Sequence, residues 1–496
     1  MRTAAAICIV CAAACFVGIS ASRAGTGPTV TVTATQLGPL STQISTNSVW
    51  SGEIDQYPGA VRRFRALAAP LVRIHVGDDG WPVAMPEVRQ NHWSFTALDV
   101  LVNDVFAAGQ QPLMNIKFAP DWMWTCTRFG AAGHVRDTTF QTYAQYMARL
   151  VAYYNLGSMT TEAGTVITNP NGTSHHITWW EPWNEPDLSN ETPCSSSQNG
   201  GEALTPSQYV TMWNAVTSAM LAVDPTLKFV GPATAGGQFG SGARPNSEYF
   251  TPLEGAAVLP SALSFHGYGY WSNAVRDRVL FNGDGSGYPD GGIDDMQHTA
   301  RSLQAAWPGT PIWIDEMNVN ADWGNDPHRR PWGPLAAAWW GTAFAMLAPL
   351  HVEMLDTYDI EDSPQFGLLS DQTGKPRIAY WVVKTLDAVF PTGSTQLAAT
   401  SSSRGIVVLA AQRPDGTISV LVANRASASA LSSSGVGAPA TVTVSLGALA
   451  PTDVRLTRID ASTSIASGPM VVDRGAASTV TLRFPGYGLD VLTITQ

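Results

Sequence analysis

HITWWEPWNEPD, residues 176–187, is the stretch that decides the fold. His176–Trp183 is short, apolar and rich in β-forming residues, and it ends in the polar motif WNEPD at 183–187. A short apolar run bounded by turn residues is typical of a strand that is buried on both faces of a parallel sheet. The stretch therefore predicts a buried strand with polar side chains at its C-terminal end.

Seven further runs of the same kind lie along the chain. They are 42–49, Leu71–His75, Leu113–Phe118, Leu227–Val230, Ala262–His266, Pro311–Asp315 and Val352–Tyr358. Helical patterns separate them, for example Phe140–Tyr154, Pro206–Val223 and Pro334–Leu347. Eight repeats of a strand and a helix predict an α/β fold, a (β/α)₈ TIM barrel over residues 41–388.

The composition changes after about Phe390, where Ser, Thr, Ala and Gly become frequent and alternating strand patterns replace helical ones. Gly416–Ala423 follows an Asp-Gly turn, and 441–446, 454–459 and 478–484 alternate in the same way. This pattern predicts an all-β sandwich over residues 389–496. Thr29–Thr35 also alternates, so residues 25–40 are expected to add a strand to that sandwich.

The N-terminus resembles a secretory signal peptide over residues 1–24. Arg2 precedes the apolar stretch Ala4–Ile19, and Ser22-Arg23-Ala24 offers small residues for cleavage. The alternative is a retained membrane anchor, but the stretch is short for a span and no polar anchor follows it. We therefore expect a secreted protein, extracellular or periplasmic, that is free of the membrane after cleavage.

Charge and cysteine content narrow the class of protein further. The net charge of −11 argues against a nucleic-acid partner. Three of the five cysteines lie in the signal segment, which leaves Cys126 and Cys194. Their loops should follow adjacent barrel strands, so an exported protein is expected to join them in a disulfide.

The sequence contains no Cys/His cluster with metal-ligand spacing, and we expect that the protein needs no cofactor. The Gly- and Asp-rich loop 282–295 fits a solvated loop better than a calcium loop.

Two carboxylates are the candidate catalytic residues. Glu185 in WNEPD ends the fourth predicted strand, and Glu316 in IDEMN ends the seventh. Glycoside hydrolysis needs one protonated carboxyl, whose pKa burial beside tryptophans would raise, and a second ionised one opposite it. Asp315 competes with Glu316 on sequence alone, and strand alternation predicts that only one of the two points inward.

Other strand ends supply candidate substrate-binding groups. Arg73 and His75 share one face of the second strand, and His266 and Tyr268 share one face of the sixth. Arg73 is expected to keep a catalytic carboxylate ionised, although an ion pair at the barrel bottom is an equal alternative. Asn184 can hydrogen-bond a sugar hydroxyl.

The predicted loops add aromatic and cationic candidates. Sugar rings stack on indole faces, and Trp122 and Trp323 are the candidates for that role. Arg329 and Arg330 are adjacent cations in an acidic protein, and Arg329 is our candidate for binding an acidic branch of a substrate. A salt bridge to a neighbouring loop acid is the simpler interpretation of either arginine.

With both carboxylate motifs placed, the chain resembles clan A glycoside hydrolases, and within them family 39. The pieces that carry the resemblance are RIH at 73–75, FAP at 118–120, WNEPDL at 183–188, VGPATAG at 230–236, SFHGYGY at 264–270, DE at 315–316 and FGLLSDQTGKPRIAYW at 366–381. The resemblance spans the barrel from strand two to helix eight. It implies that Glu185 is the acid/base and Glu316 the nucleophile of a retaining enzyme.

Three departures from the family pattern bear on the substrate. Asp315 stands where many relatives have Thr, Asn115 stands where a Glu is common, and the eighth strand, MLDTYDIED, lacks a frequent Trp. The resemblance implies a carbohydrate substrate, with β-xylosides as the first candidate and arabinosides, uronides or bacterial exopolysaccharides as alternatives. A non-catalytic carbohydrate-binding protein and a transglycosidase also remain open, as does the oligomeric state.

Overall fold

The computed structural model describes residues 27–48, 57–77, 85–117, 119–125, 135–188, 204–235, 247–283, 291–322, 324, 326–362 and 366–496. Eight parallel strands close into a barrel in which each strand pairs with the next along the chain and the last pairs with the first. Numbered one to eight, they are Gln43–Ser48, Leu71–Val76, Gln111–Ile116, Trp179–Glu181, Lys228–Thr234, Ala262–Tyr268, Ile312–Asn318 and Val352–Thr357. The predicted TIM barrel is confirmed.

Helices surround the barrel. They are Pro58–Leu67, Thr96–Ala107, Gln141–Asn155, Pro206–Val223, Ser247–Leu253, Asp277–Asn282, Gly292–Ala306, Pro334–Leu347 and Ile378–Val389. Two short sheets accompany them, Ser158–Thr160 with Val166–Thr168 and Glu361–Asp362 with Leu369–Ser370. Within the described residues, no helix is both long enough and apolar enough for a membrane crossing.

The helix after strand four shows how local sequence sets an element. Thr205 Oγ1 accepts a hydrogen bond from Gln208 N, and Gln208 Oε1 accepts one from Thr205 N in return. This capping box satisfies two backbone donors that the first helical turn cannot pair, and Pro206 occupies a position where no donor is needed. These hydrogen bonds therefore fix the residue at which the helix begins, on the side of the barrel where strand four ends.

The remaining strands form a nine-stranded mixed sheet. In spatial order they are Val471–Asp473, Asp453–Ile459, Gly488–Thr495, Ile418–Asn424, Ile406–Gln412, Ser394–Ser401, Thr29–Leu40, Ala440–Ser445 and Thr479–Phe484. The N-terminal strand Thr29–Leu40 thus lies inside this C-terminal sheet. It carries two register shifts, and such irregularities bend a strand. Val444 and Leu482 from one end of the sheet share a core with Val420 and Leu492 from the other, so the sheet folds over on itself.

Helix Pro334–Leu347 lies between the barrel and one face of the C-terminal sheet. Its Trp339 and Trp340 are fully buried, as expected for core residues. The helix packs on the barrel and on strands of the C-terminal sheet, and at Gly341 an added Cβ would lie 2.7 Å from Leu489 Cδ1. A helix that is apolar on all sides is typical of one covered on both faces.

Candidate active site

The C-terminal ends of the barrel strands bring a set of polar side chains together. Glu316 lies on strand seven and Glu185 follows strand four, as predicted. An oxygen of each carboxyl and a ring nitrogen of His266 all lie within 4.8 Å of one another. Parallel barrel strands end on one face, so side chains far apart in sequence meet there.

Glu316 is surrounded by hydrogen-bond donors. Arg73 Nη1 donates to its Oε1 at 2.7 Å, Tyr268 Oη donates to its Oε2 at 2.9 Å, and His75 Nε2 lies 3.2 Å from Oε1. Burial alone would raise the pKa of Glu316, but His266, the hydrogen bond with His75 and the Arg73 guanidinium hold it well below its ordinary value. Glu316 is therefore ionised at neutral pH.

The positive charge in this site is that of Arg73. Burial lowers the pKa of both His75 and His266, which leaves them neutral at pH 7. Burial also opposes the charge of Arg73, but attraction to Glu181 and Glu316 raises its pKa above the ordinary value. A neutral histidine beside a carboxylate serves as a hydrogen-bonding group rather than a counter-ion.

Arg73 is fully buried and its donors hold protein groups. Nε donates to Glu181 Oε2 at 2.7 Å, Nη1 to Asn47 Oδ1 at 3.0 Å, and Nη2 to Asn184 Oδ1 at 2.6 Å. The structure thus places Arg73 beneath Glu316, where it orients carboxylates. Asn184, a predicted sugar ligand, is buried as well and accepts from Arg73.

Glu185 has an unusual backbone conformation. Its φ of 44° lies in the left-handed region, which L-residues adopt only when their surroundings hold them there. The Glu185 N–H donates to Ala233 O at 2.9 Å and His266 Nδ1 lies 2.8 Å from Glu185 Oε1. Its side chain is 13 % exposed, against 7 % for Glu316. Glu185 is thus the more accessible of the two carboxyls.

The expectation that only one residue of the Asp315-Glu316 pair points inward is wrong. Ile314 and Glu316 pair with the consecutive residues Phe265 and His266 of strand six, which leaves Asp315 as an extra residue in a bulge. Its side chain is buried, with Oδ1 3.7 Å from His266 Nε2. A bulge resets the alternation of side chains, so both acids enter the barrel.

Sequence reasoning missed three residues of this site. Asn47 ends strand one and donates to the Asp315 carbonyl at 3.1 Å, and Glu181 ends strand four and pairs with Arg73. Tyr358 follows strand eight, and its ring lies 5.8 Å from that of His75. Their positions at or just after the ends of predicted strands could have identified them as site residues from the sequence. Tyr358 also shows that an aromatic ring is present at the end of strand eight although the sequence lacks the expected Trp.

The same residues offer donors for a metal ion. Glu185, His266 and Glu316 each present one ligand atom within the 4.8 Å cluster. Both oxygens of Glu316 already accept hydrogen bonds from Arg73 and Tyr268. A cation would have to compete with the Arg73 charge, so this donor set fits a hydrogen-bonded carboxylate pair better than a metal site.

The loop candidates have different positions. Trp122 is partly buried and lines a cavity of about 490 Å³ with Arg136 and Tyr143. Arg329 is exposed, so its proposed role stays a prediction. Arg330 is buried and bonded to Asp326 Oδ2 at 2.6 Å, so for this residue the simpler interpretation, a salt bridge, holds. The remaining candidates, Trp323, Cys126 and Cys194, lie outside the described residues, and the disulfide stays a prediction.

No family model matches this chain, and no curated protein matches it in sequence. Solved structures of similar fold are known. A glucosidase from Croceicoccus marinus has a TM-score of 0.61 and 17% identity, covering 95% of this chain and 99% of that one. A glycoside hydrolase family 30 xylanase from Clostridium acetobutylicum has a TM-score of 0.62 and 14% identity, covering 94% and 100%.

A GH39 β-xylosidase from Caulobacter crescentus has a TM-score of 0.61 and 16% identity, covering 94% of this chain and 100% of that one. The barrel and the C-terminal sheet together thus match glycoside hydrolases of families 30 and 39 over nearly their whole length. At these identities the likeness establishes the fold, and the resemblance predicted from sequence is confirmed at that level.

Proposed function

We propose that this protein is a retaining glycoside hydrolase, with Glu316 as nucleophile and Glu185 as general acid and base. The observation that carries the proposal is the approach of the two carboxyls, whose oxygens lie within 4.8 Å. Retaining enzymes separate these groups by about 5–5.5 Å, and inverting enzymes by about 6.5–9.5 Å to admit a water between them. A distance of at most 4.8 Å between one oxygen of each carboxyl supports a retaining arrangement.

In the first step the ionised Glu316 attacks the anomeric carbon while the bond to the leaving oxygen breaks. Glu185 gives its proton to that oxygen, so the aglycone leaves as an alcohol. The hydrogen bonds from Arg73 and Tyr268 support this role because they keep Glu316 ionised and oriented. The product of the step is a glycosyl ester on Glu316.

In the second step water attacks the anomeric carbon of this ester. Glu185, now ionised, accepts the proton of the water, and the Glu316 carboxylate leaves. His266 Nδ1 lies 2.8 Å from Glu185 and 3.4 Å from Glu316. It can therefore hydrogen-bond to either carboxyl when the charge of that carboxyl changes during the reaction. Neither step requires a metal ion or a cofactor.

The proposed substrate class is a polysaccharide or an oligosaccharide of plant or microbial origin, with β-xylosides first. This choice rests on the fold shared with a β-xylosidase and a xylanase and on the family resemblance of the motifs. Arabinosides, uronides and bacterial exopolysaccharides are the other substrates to test. The signal-like N-terminus supports action outside the cytoplasm.

A panel of aryl glycosides tests the proposal. We expect hydrolysis of at least one, with the first product keeping the anomeric configuration of the substrate by NMR. Glu316→Ala should abolish turnover of every substrate. Glu185→Ala should retain activity best on substrates with good leaving groups, because these need no proton.

Glu254→Ala is a matched control, since this glutamate is exposed and outside the site. It should behave as the wild type. First release of the inverted anomer would refute retention. Binding of xylo-oligosaccharides without turnover of any glycoside would favour the non-catalytic alternative.

A further inference from the structure

Asp315 is a buried acid that the proposed mechanism does not use. The bulge in strand seven turns it into the barrel, where its side chain is fully buried. Within the described part of the chain, neither carboxyl oxygen has a close hydrogen-bond donor of its own, and the neighbouring Ser264 hydroxyl donates to Glu181 Oε1 at 2.9 Å. An ionised carboxylate without a donor is among the most unfavourable groups to bury.

Its neighbour Glu181, by contrast, is well supplied with donors. Oε2 accepts from Arg73 Nε at 2.7 Å and from Asn115 Nδ2 at 2.9 Å, and Oε1 accepts from Ser264 Oγ at 2.9 Å. Asp315 lies within hydrogen-bonding reach of this carboxylate. Two carboxyls this close cannot both be ionised in a buried site, so they share one proton.

The distribution of donors decides which acid keeps the proton. Glu181 accepts hydrogen bonds from the Arg73 guanidinium, the Asn115 amide and the Ser264 hydroxyl, and all three favour its ionised form. Asp315 lies beside the Ser264 hydroxyl, which donates to Glu181, and as a neutral acid Asp315 can itself donate to the Glu181 carboxylate. Arg73 favours a charge on Asp315 less than burial and the Glu181 carboxylate oppose it, and its donors already hold Glu181 and Glu316.

We propose that Asp315 is a neutral carboxylic acid at pH 7 whose hydroxyl donates to Glu181, and that it is a positioning residue for the Arg73–Glu181 pair beneath Glu316. The role in catalysis rests on the proposed function, whereas the location of the proton does not. Consistent with this, burial and the Glu181 charge raise the pKa of Asp315 well above its ordinary range. Burial alone would raise the pKa of Glu181, but attraction to Arg73 and hydrogen bonds with Asp315, Arg73 and Ser264 lower it below its ordinary value.

The proton also affects the histidine beside both catalytic carboxyls. Asp315 Oδ1 is 3.7 Å from His266 Nε2, whose other ring nitrogen faces Glu185. A charged Asp315 would favour a protonated His266 and change the hydrogen bond to Glu185. A neutral Asp315 leaves His266 neutral.

Among the described residues, five charged or titratable groups surround Asp315. They are Arg73 of strand two, Glu181 of strand four, His266 of strand six, Tyr209 of helix Pro206–Val223 and the adjacent Glu316.

Two variants of similar size test the proposal in the full-length protein. Asp315→Asn keeps a donor for Glu181 without a titratable proton, and Asp315→Leu removes the donor. With the best aryl glycoside, we expect Asp315→Asn to keep kcat within about tenfold and Asp315→Leu to lose about 10²-fold with little change in KM, as for a misplaced catalytic group. Melting temperatures check that both variants fold.

An infrared difference spectrum, wild type minus Asp315→Asn at pH 7, reads the proton directly. We expect one carbonyl band of a protonated carboxylic acid, lost in the variant. Absence of that band, or an Asp315→Asn variant as inactive as Glu316→Ala, would overturn the proposal. An Asp315→Leu variant with wild-type kcat would overturn the positioning role. If the wild type cleaves no glycoside, the proposed function fails while the infrared result still decides the proton.

Discussion

Asp387 should make the stability of this protein depend on pH. It lies on helix Ile378–Val389, and its Oδ1 accepts a hydrogen bond from Ile44 N at 3.3 Å in barrel strand one. Its Oδ2 is shielded from water and has no hydrogen-bond partner in the described structure, although the residue as a whole is only partly buried. Burial raises the pKa of Asp387 to about 8.

The sign and size of the effect follow from linkage. The folded state keeps the proton up to about pH 8, whereas the unfolded chain releases it near pH 4. The stability contributed by this proton is therefore complete below pH 4 and is lost as the pH rises to 8. Four pKa units correspond to about 5 kcal/mol as an upper limit. Because the side chain can turn towards water from its partly exposed position, we expect about half of that.

Asp387→Asn keeps the Oδ1 acceptor and cannot ionise. We expect little change of melting temperature at pH 4 and a rise of several degrees at pH 8, measured by scanning calorimetry of wild type and variant at each pH. Asp415→Asn is the control, since this exposed aspartate has its pKa lowered by hydrogen bonds from Thr417 and should show no gain at pH 8. Equal shifts of Asp387→Asn at both pH values would refute the reasoning.

Three further outcomes are expected. Because the pKa of Glu316 is lowered well below its ordinary value of 4.5, the acid limb of the kcat/KM profile should lie below that pH, and an acid limb centred above 4.5 would contradict this. Tyr268→Phe removes a hydrogen bond to a charged oxygen, worth about 1.5–3 kcal/mol, so kcat should fall by about 10- to 100-fold and the acid limb should move to higher pH; an unmoved limb would count against the contact. Cys126 and Cys194 should resist thiol titration in the unfolded, unreduced protein, and two free thiols would exclude the disulfide.

Much of the fold was predictable because its signals are local. A strand buried on both faces must be apolar along its length, and a helix must repeat its apolar face every few residues. Helices Pro206–Val223 and Pro334–Leu347 have the bounds that the sequence predicts. The positions of Glu185 and Glu316 followed in the same way, because each acid lies within or shortly after an apolar strand.

The side-chain contacts were not predictable, because they depend on residues from different strands. Arg73 reaches Glu181 and Glu316 from strand two, and its burial removes it from direct contact with a substrate. Arg330 resembled its neighbour Arg329 in sequence, but tertiary packing buries only Arg330 against Asp326. Such differences arise from the distances between elements, which the pattern along one strand does not contain.

The amino-acid sequence by itself determined the strand and helix order and the two acids at the strand ends, since hydrophobic periodicity and turn chemistry act over a few residues. Only the tertiary structure decided that Asp315 enters the barrel beside Glu316, because a bulge is visible only as a shift of register against strand six. Likewise, only the closed barrel brings Asn47 from strand one to the Asp315 carbonyl. Local patterns fix which residues end a strand, and packing fixes which of those residues meet.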